Sequence, residues 1–279
     1  MPHARLVARP ALGSRARLIL IVLPVLALLG ACSDDPAQGG NIDPEQVDAV
    51  EAPVLGACRL LAPEDVAQPS NATRIVDCAE EHTAQTYAVG QLPEQFDDAA
   101  HDSEKVGAWA YRTCSDAFAK FLGADESLVM RTLLTWAWFR PSVEAWDDGA
   151  RWYRCDVVGG GEHSEEYLPL PEDAKGLLTG KPKDEWMVCA VGPTLAGGTR
   201  VPCSEPHEWR AVSTIKVGEP DEPYPGDRVV EVTTRDFCSE SVGAILGYPV
   251  DYEFAYTWFH EAEWEAGNRR SVCWAKTPD

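Results

Sequence analysis

The sequence predicts an α+β protein built from two tandem repeats, each a small antiparallel sheet with one main helix packed on it and two disulfides. Three observations carry this. The segments WDDGARWYRC at 146–155 and WEAGNRRSVC at 264–273 share one pattern: Trp, Gly three on, Arg two on, Cys four on. Eight of the nine cysteines form two sets of four in matching order. Within each set the apolar spacing switches from alternating to helical and back again.

The first 31 residues stand apart. MPHARLVARPALGSRAR carries four Arg and no acid, and LILIVLPVLALLG follows it. That is the charged n-region and short apolar h-region of a secretion signal. The apolar run is shorter than the roughly 20 residues a membrane-spanning helix needs. Leu29-Gly30-Ala31-Cys32 places small residues before a Cys. It resembles a bacterial lipobox, which implies cleavage before Cys32 and diacylglycerol on its sulfur. Acyl chains anchor a protein to a membrane rather than carry it across. Residues 32–53 are acidic and rich in Pro and Gly, so they read as a disordered tether.

The signal contains four of the 24 basic residues and none of the 45 acids, which leaves 20 bases against 45 acids, a charge of −25, after cleavage. Nucleic-acid affinity comes from neutralising phosphates, so such a charge excludes nucleic acid as a partner class. It also disfavours adsorption to anionic lipid.

With Cys32 set aside, the remaining eight Cys of an exported chain read as a disulfide framework. Cys58, Cys78, Cys114 and Cys155 align with Cys189, Cys203, Cys238 and Cys273. Other landmarks keep step: CAEEH at 78–82 with CSEPH at 203–207, TCSDAFAKFLG at 113–123 with FCSESVGAILG at 237–247, and WAWF at 136–139 with YTWF at 256–259. The domains are therefore drawn at 54–158 and 184–279. The Gly-, Pro- and charge-rich stretch 159–183 is drawn as a linker.

Each unit reads the same way. TAQTYAVGQL and WRAVSTIKV alternate as strands. Val106, Ala110, Cys114, Phe118 and Phe121 fall at helical spacing, with Asp102 or Ser103 as cap; Cys238, Val242, Ile245 and Leu246 do the same. Thr233 and Asp236 have the spacing of a capping box. Gly123 and Gly247 suit the left-handed position that ends a helix. Two strands follow, with Leu134, Trp136 and Trp138 on one face matched to Phe254, Tyr256 and Trp258. Bridges 114–155 and 238–273 then staple helix to sheet, and bridges 58–78 and 189–203 close short loops ahead of the first clear strand.

The ordered set of Cys-x-x-x-His, helix Cys, Trp-rich strand and W-x-x-G-x-R…C resembles the septum formation family of actinobacterial envelope proteins. The resemblance spans both copies. It implies an envelope location and a link with cell division, and it brings no catalytic residues.

Two kinds of recurring residue invite a chemical reading. His82 and His207 each stand four after a Cys, beside Glu80 or Glu205. They fit a metal or proton site, or a structural imidazole that holds a turn. Structural zinc needs about four converging ligands, which the local sequence does not supply. Arg151 and Arg269 can clamp an anion bidentately or stack on Trp146 and Trp264. Those Trp can form a sugar platform or fill a core. His101, His163 and His260 recur in neither copy and read as surface residues. There is no G-x-S-x-G, HExxH or C-x-x-C, and GLLTGKP at 176–182 is too short for a phosphate loop. The expectation is a non-catalytic binding or scaffold protein, without cofactor or metal, joined to the membrane by its N-terminal lipid and to an envelope protein partner. The alternatives are a lipoprotein holding a ligand in a cleft between repeats, lined by the repeated Arg and Trp, and an envelope hydrolase.

Overall fold

The computed structural model describes residues 41–161, 164–219 and 221–277. The signal 1–31, Cys32, residues 33–40 of the tether and His163 lie outside the described residues. Repeat 1 runs β1 (Cys58–Arg59), α1 (Pro63–Val66), β2 (Ile75–Val76), β3 (Ala84–Gln91), α2 (Glu104–Leu122), α3 (Glu126–Val129), β4 (Thr135–Phe139), α4 (Val143–Asp147) and β5 (Trp152–Val158). Repeat 2 runs β6 (Val188–Val191), β7 (Thr199–Pro202), β8 (Trp209–Lys216), α5 (Asp227–Leu246), β9 (Phe254–Thr257), α6 (Glu261–Ala266) and β10 (Arg270–Lys276). The sheets have orders β2-β1-β3-β5-β4 and β7-β6-β8-β10-β9, all antiparallel. The two orders are the same order. Even a bulge is repeated: Tyr87 is extra opposite Asp156 and Cys155, and Val212 is extra opposite Trp274 and Cys273.

The helices follow their stripes. Val106, Ala110, Cys114, Phe118 and Leu122, one every four residues, are the buried side of α2, and Val230, Thr234, Cys238 and Val242 are that of α5. Both helices end on a left-handed glycine, Gly123 at φ 72° and Gly247 at φ 79°. Ser103 occupies the N-cap of α2 without a side-chain cap bond. The capping box expected at Thr233–Asp236 is not an end at all. Helix α5 starts at Asp227, because Val230 continues the buried stripe two turns earlier.

Disulfides join Cys58 to Cys78, Cys114 to Cys155, Cys189 to Cys203 and Cys238 to Cys273. The second and fourth tie each main helix to the last strand of its repeat, β5 or β10. The first and third close short loops as expected: Cys58 lies in β1 and Cys189 in β6, each bonded to a cysteine in the turn that follows the paired strand, β2 or β7. Strands β1, β2, β6 and β7 are too short to alternate visibly in sequence.

Strand pairing also corrects the alignment of WAWF with YTWF. Trp138 stands opposite Cys155, and Tyr256 opposite Cys273. The true partners are thus Trp136 with Phe254 and Trp138 with Tyr256, two residues from the aromatic match. A two-residue slip preserves the face, which is why the inward residues remained the inward residues.

Two segments drawn as spacers are part of the fold. Residues 41–50, within the expected tether, lie along repeat 1: Ile42 bridges Thr73, the Ala49 carbonyl accepts from the Trp152 indole at 3.1 Å, and Ser142 donates to Asp48. The linker at 159–183 is a strap over repeat 1. Leu170, Ala174 and Leu178 are buried in the α2 core, and the N–H groups of Gly176 and Leu178 donate to the Phe121 and Leu122 carbonyls at 2.8 and 2.9 Å. Those carbonyls are unpaired helix-end acceptors, and the leucines are the apolar surface that composition alone hides.

The repeats meet along 126–133. Thr132 bridges Met187, and Leu133 with Met130 and Leu168 packs on the apolar face of the second sheet, against Ala211, Val272 and Trp274. Trp186 reaches the other way into the core of repeat 1. Arg131 donates to the Val212 carbonyl at 3.1 Å, and Arg270 pairs with Glu126 at 2.5 Å.

Candidate functional site

Each recurring His does one thing. His82 Nδ1 donates to the Glu80 carbonyl at 2.8 Å, and His207 Nδ1 to the Glu205 carbonyl at 2.7 Å. The tight turn after the Cys brings that carbonyl back onto the ring, so the imidazole closes the turn. His82 is buried under the strap, where Leu170 N–H donates to its carbonyl. Its Nε2 has no hydrogen-bond partner among the described residues. His207 is half-buried. Among the described residues one group of possible metal ligands converges: Cys189, Cys203 and His207, within 4.8 Å. Both of its sulfurs are joined to each other and have no thiolate to give.

The recurring Arg and Trp also pair. The Arg151 guanidinium stands 4.2 Å from the centroid of Trp146, and Arg269 stands 3.5 Å from that of Trp264. Each also donates to the carbonyl of the same Trp, at 2.7 and 2.5 Å. The helical turns α4 and α6 present that carbonyl, and Gly149 and Gly267 at positive φ turn the chain back under the ring. Trp146 is buried with Leu92, Phe96 and Val106, and Trp264 with Val217, Val230 and Phe259. Neither Trp is a platform for a sugar. Of the non-recurring His, His101 is no simple surface residue. It packs edge-on to Trp146 at 5.4 Å and bonds the Pro141 carbonyl at 2.9 Å. His260 is exposed at the start of α6.

The sequence reading missed two groups. The first is a charged core on the face of repeat 1 opposite α2. Arg154 Nε lies 3.0 Å from Asp156, Thr86 donates to Asp156 at 2.7 Å, and Arg59 donates to Thr86 at 2.8 Å. Arg154 stacks on Phe139 at 4.4 Å and donates to the Asn71 side chain. Burial, then the neighbouring Arg154, lowers the pKa of Arg59 to about 10, against the pull of Asp156. By register, the counterparts of Arg59, Thr86, Arg154 and Asp156 in repeat 2 are Ala190, Ala211, Val272 and Trp274. The usable signal was Arg154 and Asp156, two apart on one face of a strand.

The second is the cleft between repeats. A cavity of about 560 Å³ is lined by Tyr111, Trp136, Glu126, Arg200 and Trp274, among others. Two further cavities, of about 380 and 520 Å³, also open on Arg200. The Arg200 guanidinium lies 4.6 Å from the Trp274 centroid. Burial lowers its pKa, and it forms no ion pair with a carboxylate among the described residues. The cleft lining does not include Arg151, Arg269, Trp146 or Trp264, which were expected there. Among the described residues no hydrogen bond joins two carboxyl groups or a nucleophile to a base in it.

Four disulfides point to an extracytoplasmic protein. Among the described residues no helix is long and apolar enough to cross a membrane. No curated protein and no solved structure matches the chain. One family model does, described as septum formation, and it matches twice, over residues 43–140 and 131–273. Those matches cover most of the chain and both repeats, and the chain belongs to the septum formation family.

Proposed function

We propose that this chain is a lipid-anchored, extracytoplasmic binding or scaffold protein of the cell envelope that serves septum formation without catalysis. The observation that carries this is how the recurring residues are used. In both repeats the His closes a turn and the Arg caps a Trp, so the features kept in two copies build the fold. What remains for function is surface. The family supports the septal role, and Leu29–Cys32 supports the anchor. Cross-linking in cells from the mature lipoprotein, read by mass spectrometry, tests it. One reproducible envelope-protein partner, retained by folded His82→Ala and His207→Ala variants, is the expected result. Loss of function in those folded variants refutes it.

A second reading rests on Arg200. A half-buried guanidinium with no ion pair among the described residues, lining two cavities between the repeats and a third on repeat 2, suits a carboxylate-bearing ligand. Saturable thermal stabilisation by peptide or glycan fragments, lost in Arg200→Ala, is its test.

A further inference from the structure

The second sheet leaves a gap that the first sheet closes with its own β1–β2 connection. Cys58 and Cys78 stand 20 residues apart, and Cys189 and Cys203 stand 14 apart, so the β6–β7 connection is six residues shorter. In repeat 1 the longer connection crosses to the opposite edge of the sheet. The Pro69 carbonyl accepts from the Arg140 N–H at 3.0 Å, and Ser70 donates to the Pro141 carbonyl at 2.9 Å, just past the end of β4. The next residues supply oxygens to the buried guanidinium groups. The Asn71 carbonyl and side chain accept from Arg154 at 3.3 and 2.9 Å, and the Thr73 carbonyl accepts from Arg59 at 3.2 Å.

In repeat 2 the short connection makes no such crossing. Continuing the strand register, Trp258 and Phe259 answer to Arg140 and Pro141. Among the described residues the Trp258 N–H and the Phe259 carbonyl make no backbone hydrogen bond. The edge strands β7 and β9 instead face a shared opening: Arg200 of β7 and Thr257 of β9 both line the cavities of about 560 and 520 Å³. Trp274 stands between them, its ring 4.6 Å from the guanidinium and its indole N–H donating to the Thr257 hydroxyl at 3.5 Å. Arg200 pairs across the strands with Ala190, the residue that answers to Arg59, so it sits on the face that is charged in repeat 1. Its acceptors are the Leu195 and Gly198 carbonyls, both at a long 3.5 Å. Glu165, exposed on the rim, forms no ion pair with it. The place of Asp156, which neutralises the guanidinium pair of repeat 1, is taken by Trp274.

We infer that repeat 2 binds an extended peptide segment of a partner protein across this gap, with an Asp side chain on Arg200 and main-chain bonds to the Trp258 N–H and the Phe259 carbonyl, as residues 69–71 lie in repeat 1. The proposal rests on the Arg200 reading above and names its ligand as a peptide. Main-chain bonds at a sheet edge give such a segment its affinity, and the side-chain contact gives it specificity. The carboxylate is what the occupant adds to the pattern of repeat 1. Asn71 meets a guanidinium already paired with Asp156, whereas Arg200 has no acid beside it, and a carboxylate forms the stronger, charge-assisted bond.

The probe is a fluorescein-labelled synthetic peptide of sequence AQPSDATR, residues 67–74 carrying Asn71→Asp, titrated into the full mature chain by anisotropy. Saturable binding is expected. The unsubstituted peptide AQPSNATR should bind at least tenfold more weakly. Arg200→Gln should weaken the Asp peptide at least tenfold and remove the difference between the two. The comparison of peptides uses one unchanged protein, so misfolding does not produce it. No saturation, equal binding of the two peptides, or a difference that survives Arg200→Gln overturns the proposal. Binding of carboxylated glycan fragments that Arg200→Gln abolishes, with neither peptide bound, overturns the peptide and keeps the Arg200 reading. No binding by any carboxylate ligand removes both. A concentration-dependent dimer in sedimentation that the Asp peptide dissolves gives the gap to a second copy and also overturns the proposal.

Discussion

Replacing Asp156 by Ala removes one carboxylate from between two buried guanidinium groups. Asp156 and Arg154 are 0% exposed and Arg59 is 1% exposed. The carboxylate accepts from Thr86 at 2.7 Å and faces Arg154 Nε at 3.0 Å. Without it, both Arg keep their charge in the interior with carbonyl and side-chain oxygens as their hydrogen-bond acceptors among the described residues. Breaking a buried pair on one side costs about 3–5 kcal/mol, a large part of the roughly 5–15 kcal/mol that holds a domain. Urea unfolding followed by tryptophan fluorescence, disulfides intact, should show that loss with an unchanged denaturant slope. The triple change Arg59→Leu, Arg154→Leu, Asp156→Leu should cost less than the single one, because it removes every charge. Repeat 2 already lives with Ala190, Val272 and Trp274 at those places. A single-variant loss below about 1 kcal/mol, or a triple variant worse than the single, refutes the argument.

Three other outcomes rest on the strap, a disulfide and a buried phenol. Leu178→Ala, 1% exposed in the strap, should destabilise by about 2–5 kcal/mol in the same urea assay; a free spacer gives no change. Replacing Cys114 and Cys155 by Ser opens a loop of 41 residues and should cost about 4 kcal/mol by the chain-entropy estimate, measured against the wild-type midpoint. Burial, with Glu126 and Glu263 nearby, raises Tyr111 from 10.0 to about 12. The folded state thus favours the neutral phenol, so its contribution is complete below pH 10 and is lost as pH rises towards 12. A difference titration at 295 nm against Tyr111→Phe should show that late phenol, and urea should return it to about 10.

The repeat itself was legible because cysteine order, glycine stops and the Trp-Gly-Arg-Cys segment are all local patterns. The helix stripes ending at Gly123 and Gly247 followed from four-residue spacing, and the same cysteine pairs are joined in the fold. The strap was not legible. LPLPEDAKGLL has no period, since each leucine is placed by a different partner on α2 or β3. The short strands β1, β2, β6 and β7 exist through pairing rather than pattern. Arg200 gave no signal because its surroundings come from 111–136 and 256–274, far away in sequence.

The disulfides have an order as well as a geometry. Cys58–Cys78, Cys114–Cys155, Cys189–Cys203 and Cys238–Cys273 each join a cysteine to the next one along the chain. A chain emerging N-terminus first through a secretion pore presents its thiols in that same sequence. With the Cys32 sulfur blocked by the lipid proposed above, an oxidant that couples each new thiol to the last unpaired one writes the native pattern directly. On that route the four bonds form in native order, with no shuffling.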